Sequence, residues 1–386
     1  MVKVKLLKIG ILTHYHKSIN YGGVLQAYAL CKYLNQQGYN AFQIQYIAEA
    51  SNLSTPDCSV DKMIYKIIDK IFCLFFKKKN QLIKERMERL FVEFRKQIPH
   101  STFVYDKGTI SDVLGEVDSI IVGSDQVWNP NWYDSSYMLD FAGEDIRKIS
   151  YAASIGVEYL TSKQKSIYEK FLSNFNCLSV REENCVKDLE SFLDKKIEVC
   201  IDPTMLLSKD DWCEITTDRI FTDKYVFLFM LGNDLEARKI ANEFASKKGI
   251  KLVYIPDLLG KYRIEDRLIC GEKIITATPN DFLSLIKHAE YVFTDSFHAC
   301  VFSLIFMKEF FVFERLSNTK NKMSSRIITL LKMFDCSDRF LIQKAQKSIN
   351  YLLNFEIMNY TKNNSKYELA KKNSSKYLKE AIEAND

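Results

Sequence analysis

Short apolar runs rich in β-branched and aromatic residues recur along the chain, each followed by a stretch with helical spacing. The strand candidates are Lys8 to Thr13, Ser119 to Gly123, Lys148 to Ala152, Cys177 to Val180, Tyr225 to Leu231, Lys251 to Ile255, Tyr291 to Asp295 and Phe310 to Phe313. The clearest pair joins the continuous run Tyr291-Val-Phe-Thr-Asp295, suited to a strand buried on both faces, to Phe297, Val301, Leu304 and Ile305 at helical spacing. Alternating strands and helices predict parallel sheets with helices on both faces. The series breaks near Asp202-Pro203, because residues 203 to 222 carry Ser, Asp and Thr punctuation with no sustained period. The expected fold class is α/β, with two Rossmann-like domains facing across a cleft, at residues 1–205 and 206–350. A helical insert at about 51–100 interrupts the first domain, and residues 351–386 form a helical tail that packs through Tyr367, Leu369, Ala370, Tyr377, Leu378 and Ala381.

Composition agrees with that division. A chain of 386 residues is long for one domain, and 47% hydrophobic content with 13% aromatics supplies two cores. Six prolines and thirteen glycines leave no room for a low-complexity architecture. Ten cysteines are scattered through apolar runs with no CxxC pair and no zinc spacing, which reads as reduced core thiols in a cytoplasmic protein. Lysines alternate with apolar residues at the N-terminus, the pattern of a first strand rather than a signal peptide. No apolar run approaches the roughly twenty residues that a membrane helix needs.

Net charge is only +5, but residues 62–97 hold eleven Lys/Arg against four Asp/Glu beside the apolar cluster Ile71-Phe-Cys-Leu-Phe-Phe76. Two readings compete: an amphipathic helical pair making peripheral contact with anionic lipid at the inner face of the membrane, or a solvated outer helix face. Nucleic acid is not an expected partner, since no RRM, KH or helix-turn-helix signature accompanies the lysines.

Four strand-to-helix turns carry residues suited to chemistry, and the edge where strands give way to helices is where open α/β sheets bind ligands. In the first, Asn20-Tyr-Gly22-Gly23 opens a helix, and glycines there let a backbone approach a ligand closely. The second, Gly123-Ser124-Asp125-Gln126-Val-Trp128-Asn129, offers a carboxylate, amides and an indole platform, the mixture that binds sugars. In the third, Ser179-Val-Arg181-Glu-Glu places a guanidinium where it would grip a carboxylate or phosphate, unless a neighbouring glutamate takes it. The fourth, Asp295-Ser296-Phe-His298, holds an imidazole able to move a proton near neutral pH, although a lone histidine on an apolar helix is commonly a core residue. Lys320, Lys322 and Arg326 form a basic group just beyond.

Taken with Gln26-Ala-Tyr-Ala-Leu, Tyr151-Ala-Ala-Ser-Ile-Gly and Asp202-Pro-Thr, these motifs resemble, in order from about residue 9 to 330, the polysaccharide pyruvyl transferase family. The resemblance implies a GT-B-like pair of domains. It also implies transfer of pyruvate from phosphoenolpyruvate to two hydroxyls of a sugar as a cyclic ketal, in surface polysaccharide biosynthesis. By that resemblance Arg181 binds the donor's charged groups and His298 is the active-site histidine. Several members carry Arg two residues before that histidine, whereas this chain has Ser296, so Arg326, Lys320 or Lys322 is expected to supply the missing cation.

The resulting assignment has His298 as general acid and Asp125 or Asp295 as base or orienter, with Arg181, Ser296 and Arg326 holding the donor. Asn20, Gly22, Gly23, Ser124, Gln126 and Trp128 would line the acceptor side, the acceptor being lipid-linked or nucleotide-linked. No redox cofactor or metal is expected, phosphoenolpyruvate serving as co-substrate. The alternatives are a GT-B glycosyltransferase using a nucleotide sugar, and a non-catalytic carbohydrate-binding protein. All of this requires Asn20, Asp125, Arg181 and His298 to border one interdomain cavity of positive potential.

Overall fold

The structure is a computed structural model that describes residues 6–49, 51, 53, 75–157, 159–315, 325–343 and 345–384. The first half runs β1 (Lys8–Leu12), α1 (Tyr21–Gln36), β2 (Asn40–Tyr46), α2 (Lys77–Lys96), β3 (His100–Tyr105), β4 (Ser119–Val122) and β5 (Arg147–Ser150). These strands form one parallel sheet in the order β3-β2-β1-β4-β5. It continues past α3 (Ser162–Leu172) into a parallel pair, β6 (Leu178–Val180) and β7 (Ile197–Val199), with α4 (Val186–Glu190) between them. Bridges Ile149–Cys177 and Ala153–Val180 tie that pair to β5.

After α5 (Lys209–Ile215), the second half runs β8 (Tyr225–Phe229), α6 (Leu235–Lys248), β9 (Lys251–Tyr254), β10 (Glu272–Lys273), α7 (Pro279–Lys287) and β11 (Tyr291–Thr294). It ends with α8 (Phe297–Ile305), β12 (Glu309–Phe313), α9 (Ser325–Met333), β13 (Phe340–Leu341), α10 (Ile349–Leu353) and α11 (Tyr360–Glu383). Its sheet is also parallel, ordered β10-β9-β8-β11-β12-β13. Both sheets reverse direction beside their first strand, at β1/β4 and at β8/β11. Chain entering and leaving on opposite sides opens a crevice at the carboxyl ends of those strands.

Helix α1 explains how the halves meet. It is buried almost all round, through Gly22, Gly23, Val24, Leu25, Gln26 and Ala27 among others, which is the signature of a helix enclosed on every side. It packs on β2 and also on α7 and α8 of the second half, and a single apolar cluster runs from Val24 and Leu30 through to Phe282, Ala299 and Phe302. Tyr21 donates from its hydroxyl to Ala277 O at 2.7 Å and packs edge-on to Phe229.

Five strands fall outside the sequence expectation: the two-residue β10 and β13, and β2, β3 and β7. β2 reads Asn-Ala-Phe-Gln-Ile-Gln-Tyr, and the two glutamines hide its apolar pattern; buried Gln43 donates from Nε2 to Ala27 O at 2.8 Å, while no partner among the described residues reaches its Oε1. β3, an edge strand with Phe103 and Val104 exposed, begins at His100, where the helical insert was expected to end. β7 has three residues and a glutamate at its centre.

Of the segment 62–97, the described part is mainly α2, and its apolar residues Ile83, Met87, Phe91 and Phe94 are buried in the protein. Phe91 packs on Tyr21 and Phe94 on Tyr28, so this helix spends its apolar face on protein. The residues proposed for lipid contact between 62 and 74 lie outside the described residues. The tail helix α11 crosses back to the first half, where Tyr377 donates to Ser150 O at 2.9 Å and Ser374 Oγ accepts from Ile201 N at 3.0 Å. Leu378 and Ala381 are buried there, while Leu369 is exposed. No described helix is long and apolar enough to cross a membrane.

Candidate functional site

Each side chain of the site is placed by the end of a parallel strand. Beyond β1, Asn20 caps α1 by accepting from Gly22 N at 3.1 Å. A Cβ on Gly22 would fall 1.9 Å from His298 Nδ1, so the imidazole of the second half lies directly on the backbone of the first. Glycine is required at this position by close approach. Beyond β4 the chain turns sharply, with Gly123 at φ +114° and Asp125 at φ +63°. A Cβ at Gly123 would meet Tyr151 O at 2.4 Å. The turn is held by Thr13 Oγ1 donating to Ser124 O at 2.8 Å and by Ser124 N donating to Gln26 Oε1 at 3.2 Å.

Arg181 leaves the end of β6, Asp202 follows β7, and His298 lies in the first turn of α8 after β11. Arg181 Nη1 donates to Asp202 Oδ2 at 2.6 Å, and His298 Nε2 stands 3.5 Å from the same oxygen. Arg181 Nη2 is 3.7 Å from Asp125 Oδ1. Arg326, from α9, reaches the same carboxylate at 3.9 Å and Glu182 at 4.0 Å. Both guanidinium groups lie over the ring of Phe297, Arg181 at 4.4 Å and Arg326 at 5.9 Å. With its amide oriented to satisfy its neighbours, Gln126 accepts from Arg326 Nη1 and Nη2 at 3.2 and 3.1 Å.

These groups are buried: Arg181 is 4% exposed, His298 6%, Arg326 6% and Asp202 1%. Yet among the described residues no hydrogen-bond partner reaches Arg181 Nε and Nη2, Arg326 Nε, Arg315 Nε or His298 Nε2. Buried polar atoms left unpaired cost free energy, and five of them on one small surface mark a place shaped for an acceptor. Burial opposes the Asp202 carboxylate, but His298 and Arg181 outweigh it and hold the group well below the usual carboxylate range. Burial likewise opposes Asp125, where Arg181, His298, Arg326 and His14 win and lower it. Burial pulls Arg326 down to about 10, with Arg181 adding to the effect. Arg181 moves the other way, because Asp202, Glu182 and Asp125 outweigh its burial.

The structure therefore brings together Arg181, His298, Asp125, Arg326, Ser124, Gln126 and Gly22, with Asn20 at the same helix entry and with Gly23, where a Cβ would lie 3.1 Å from His14 O. Two expectations are corrected. Trp128 is not a sugar platform: it is 1% exposed, donates from Nε1 to Tyr137 O at 2.8 Å and packs edge-on to Phe175. Among the described residues the expected cavity of positive potential is instead a tightly packed charge network, Arg181, Arg315 and Arg326 facing the four carboxylates of Asp125, Glu182, Asp202 and Asp295, with a space of about 10 Å³ beside Arg315 and Arg326.

Asp295 accepts from both Leu231 N and Gly232 N at 2.7 Å, so its lone pairs tie β8 to β11 rather than face a substrate proton. Ser296 caps α8 through Ala299 N. Lys320 and Lys322 lie outside the described residues. Asp202, at the centre of the network, had appeared only as part of a motif; a lone Asp-Pro after a weak strand gives no chemical signal. Among the described residues no group of three or more His, Cys, Asp or Glu is placed to hold a metal.

Solved structures place the fold. UDP-GlcNAc 2-epimerase from Neisseria meningitidis, bound to UDP-GlcNAc, superposes with a TM-score of 0.53 at 12% identity, covering 98% of this chain and 100% of that one. UDP-N-acetylglucosamine 2-epimerase from Rickettsia bellii gives 0.54 at 11% identity, covering 98% and 96%. The architecture is thus the GT-B fold, with parallel sheets in two α/β halves. No curated protein sequence matches the chain. A sequence profile of the polysaccharide pyruvyl transferase family matches residues 20–318, a span that includes Asn20, Asp125, Arg181, Asp202 and His298. The chain belongs to that family, whose members are transferases of polysaccharide biosynthesis.

Proposed function

We propose that the protein transfers the pyruvyl group of phosphoenolpyruvate to two hydroxyls of a sugar, forming a cyclic ketal and releasing phosphate. The observation that carries this reading is the set of buried N–H groups of Arg181 and Arg326 that find no partner among the described residues, beside His298 at the junction of two opposed strand-end crevices. Guanidinium forks match a carboxylate and a phosphate bidentately, and phosphoenolpyruvate carries both within three carbons.

In the reaction, His298 delivers a proton to the methylene carbon, whose π electrons form the new C–H bond and leave the central carbon electron-poor. A sugar hydroxyl oxygen adds there and gives up its proton. The bond to the phosphate oxygen then breaks with its electron pair, and the second hydroxyl closes the ring. Of the two hydroxyl protons, one restores the proton spent on the methyl group and the other leaves on the phosphate. Asp202 orients the imidazole, and the arginines neutralise the anion as it leaves. The closed space requires the two halves to part for substrate entry, as loops and domains do in many enzymes.

The acceptor is a sugar of a surface polysaccharide or its lipid-linked or nucleotide-linked precursor, and the setting is the cytoplasm. Thermal unfolding with added ligands tests the donor. Phosphoenolpyruvate at a hundredfold excess over its Kd stabilises by about 2.7 kcal/mol, and His298→Ala abolishes transfer while keeping that stabilisation. Stabilisation by UDP or GDP with no response to phosphoenolpyruvate would instead indicate a nucleotide-sugar transferase. Unchanged function in His298→Ala would indicate a binding protein.

A further inference from the structure

Resting on that reading, we propose that the cavity at the end of β1 is the acceptor subsite for an uncharged sugar ring, with His14 as the base that takes the hydroxyl proton. The cavity holds about 320 Å³ between the loop of residues 13–18, the end of β2 and Tyr137. That lies at the low end of the roughly 300–1,000 Å³ of small-ligand sites and is far larger than the space beside Arg326.

Its lining includes Tyr15, Tyr46 and Tyr137 together with His14, His16 and Ser18. The His14 ring packs on Tyr137 at 4.4 Å, and Tyr137 meets Tyr46 edge-on at 5.7 Å. Aromatic faces with a few polar groups suit the C–H faces and hydroxyls of a sugar. The cavity offers little to an anion. Its lysine, Lys17, is exposed, and the Asp134 carboxylate nearby is already engaged by Tyr46, Glu49 N and Ser136 N.

His14 has the arrangement of a base. Its ring is held against Tyr137, and Nε2 is buried without a hydrogen-bond partner among the described residues. With Nδ1 carrying the proton, the neutral ring presents its lone pair at Nε2. Burial holds the ring below its ordinary 6.5 against Asp125, the Gln126 backbone and Asp134, which leaves it neutral at pH 7. The other groups facing this space are His16, itself lowered by burial with Lys17 and Arg95, and Tyr15, which burial pushes up to about 12. Asp125 connects the two parts of the site: the same carboxylate is influenced by Arg181, His298, Arg326 and His14. One histidine would thus give a proton to the donor and a second take one from the acceptor, each in its own half of the molecule.

Nitrogen-15 histidine NMR on the full chain tests this, because the sequence holds only five histidines and single His→Gln variants assign them. Methyl glucoside, galactoside and mannoside serve as acceptor probes. The expected result is that at least one glycoside shifts His14 Nε2, that phosphoenolpyruvate shifts His298 instead, and that His14→Gln loses roughly 10²- to 10⁴-fold in transfer with donor stabilisation unchanged. The inference is overturned if no glycoside moves His14 while phosphoenolpyruvate moves His298, or if His14→Gln transfers at the wild-type rate. A glycoside that moves His14 when phosphoenolpyruvate leaves His298 unmoved keeps the subsite and removes the donor reading. Should His14→Gln fail to fold, the spectra of the unmutated protein decide.

Discussion

Gly22 carries the tightest constraint in the site, since the His298 ring occupies the volume where its side chain would be. Gly22→Ala leaves α1 intact but displaces the imidazole, and a misplacement of about 1 Å costs on the order of 10²-fold in rate. Circular dichroism unchanged with kcat reduced is the expected pair of results; an unchanged kcat would show that the ring position does not matter. Arg181→Lys is not conservative here, because a lysine cannot both reach Asp202 and present a planar fork over Phe297. It should raise the KM for phosphoenolpyruvate at least tenfold, read from initial rates of phosphate release. At this scale the sequence was only partly legible. Arg181 and His298 stood out only together with the other strand-end motifs, because a lone histidine on an apolar helix reads as core and an arginine beside glutamates as an ion pair, whereas Trp128 looked like a ligand platform and proved to be core.

Strands with unbroken apolar runs, such as Phe227 in β8 and Phe293 in β11, were evident from pattern alone because both of their faces are covered. β2 and β3 were not, since a buried Gln43 and an exposed edge break the pattern that burial normally writes. The tail helix α11 shows an element whose role depends on distant contacts. Tyr377 reaches Ser150 at the end of β5, and Arg147 Nε donates to Ala381 O at 2.6 Å. Tyr377→Phe removes one hydrogen bond and should lower stability by about 1 kcal/mol, seen as a shifted urea midpoint with kcat unchanged. A larger loss of kcat than of stability would place the tail in the catalytic cycle.

For the whole molecule, the site ties the two halves together by charge. Asp125 and Asp202 have folded values below their ordinary ones, so the stability they contribute is present above the unfolded carboxylate value, about 4, and is lost as pH falls through the folded values. Urea midpoints should therefore hold steady from these groups at neutral pH and fall below about pH 4. In Asp125→Asn the acid-side fall should be shallower, and a midpoint that rises on acidification would contradict the assignment. The two-sheet organisation was legible because each half repeats one strand–helix rhythm; the enclosure of the site was not, since the packing of α1 against α7 and α8 leaves no periodic mark.

The most direct test uses phosphoenolpyruvate labelled with carbon-13 at its central carbon, incubated with the protein and a sugar acceptor in heavy water. The expected product carries the label as a ketal carbon bonded to two sugar oxygens. It has one deuterium in its new methyl group and appears in step with one inorganic phosphate. Label that remains in phosphoenolpyruvate, or that appears as free pyruvate at the same rate with and without acceptor, would contradict the proposed transfer.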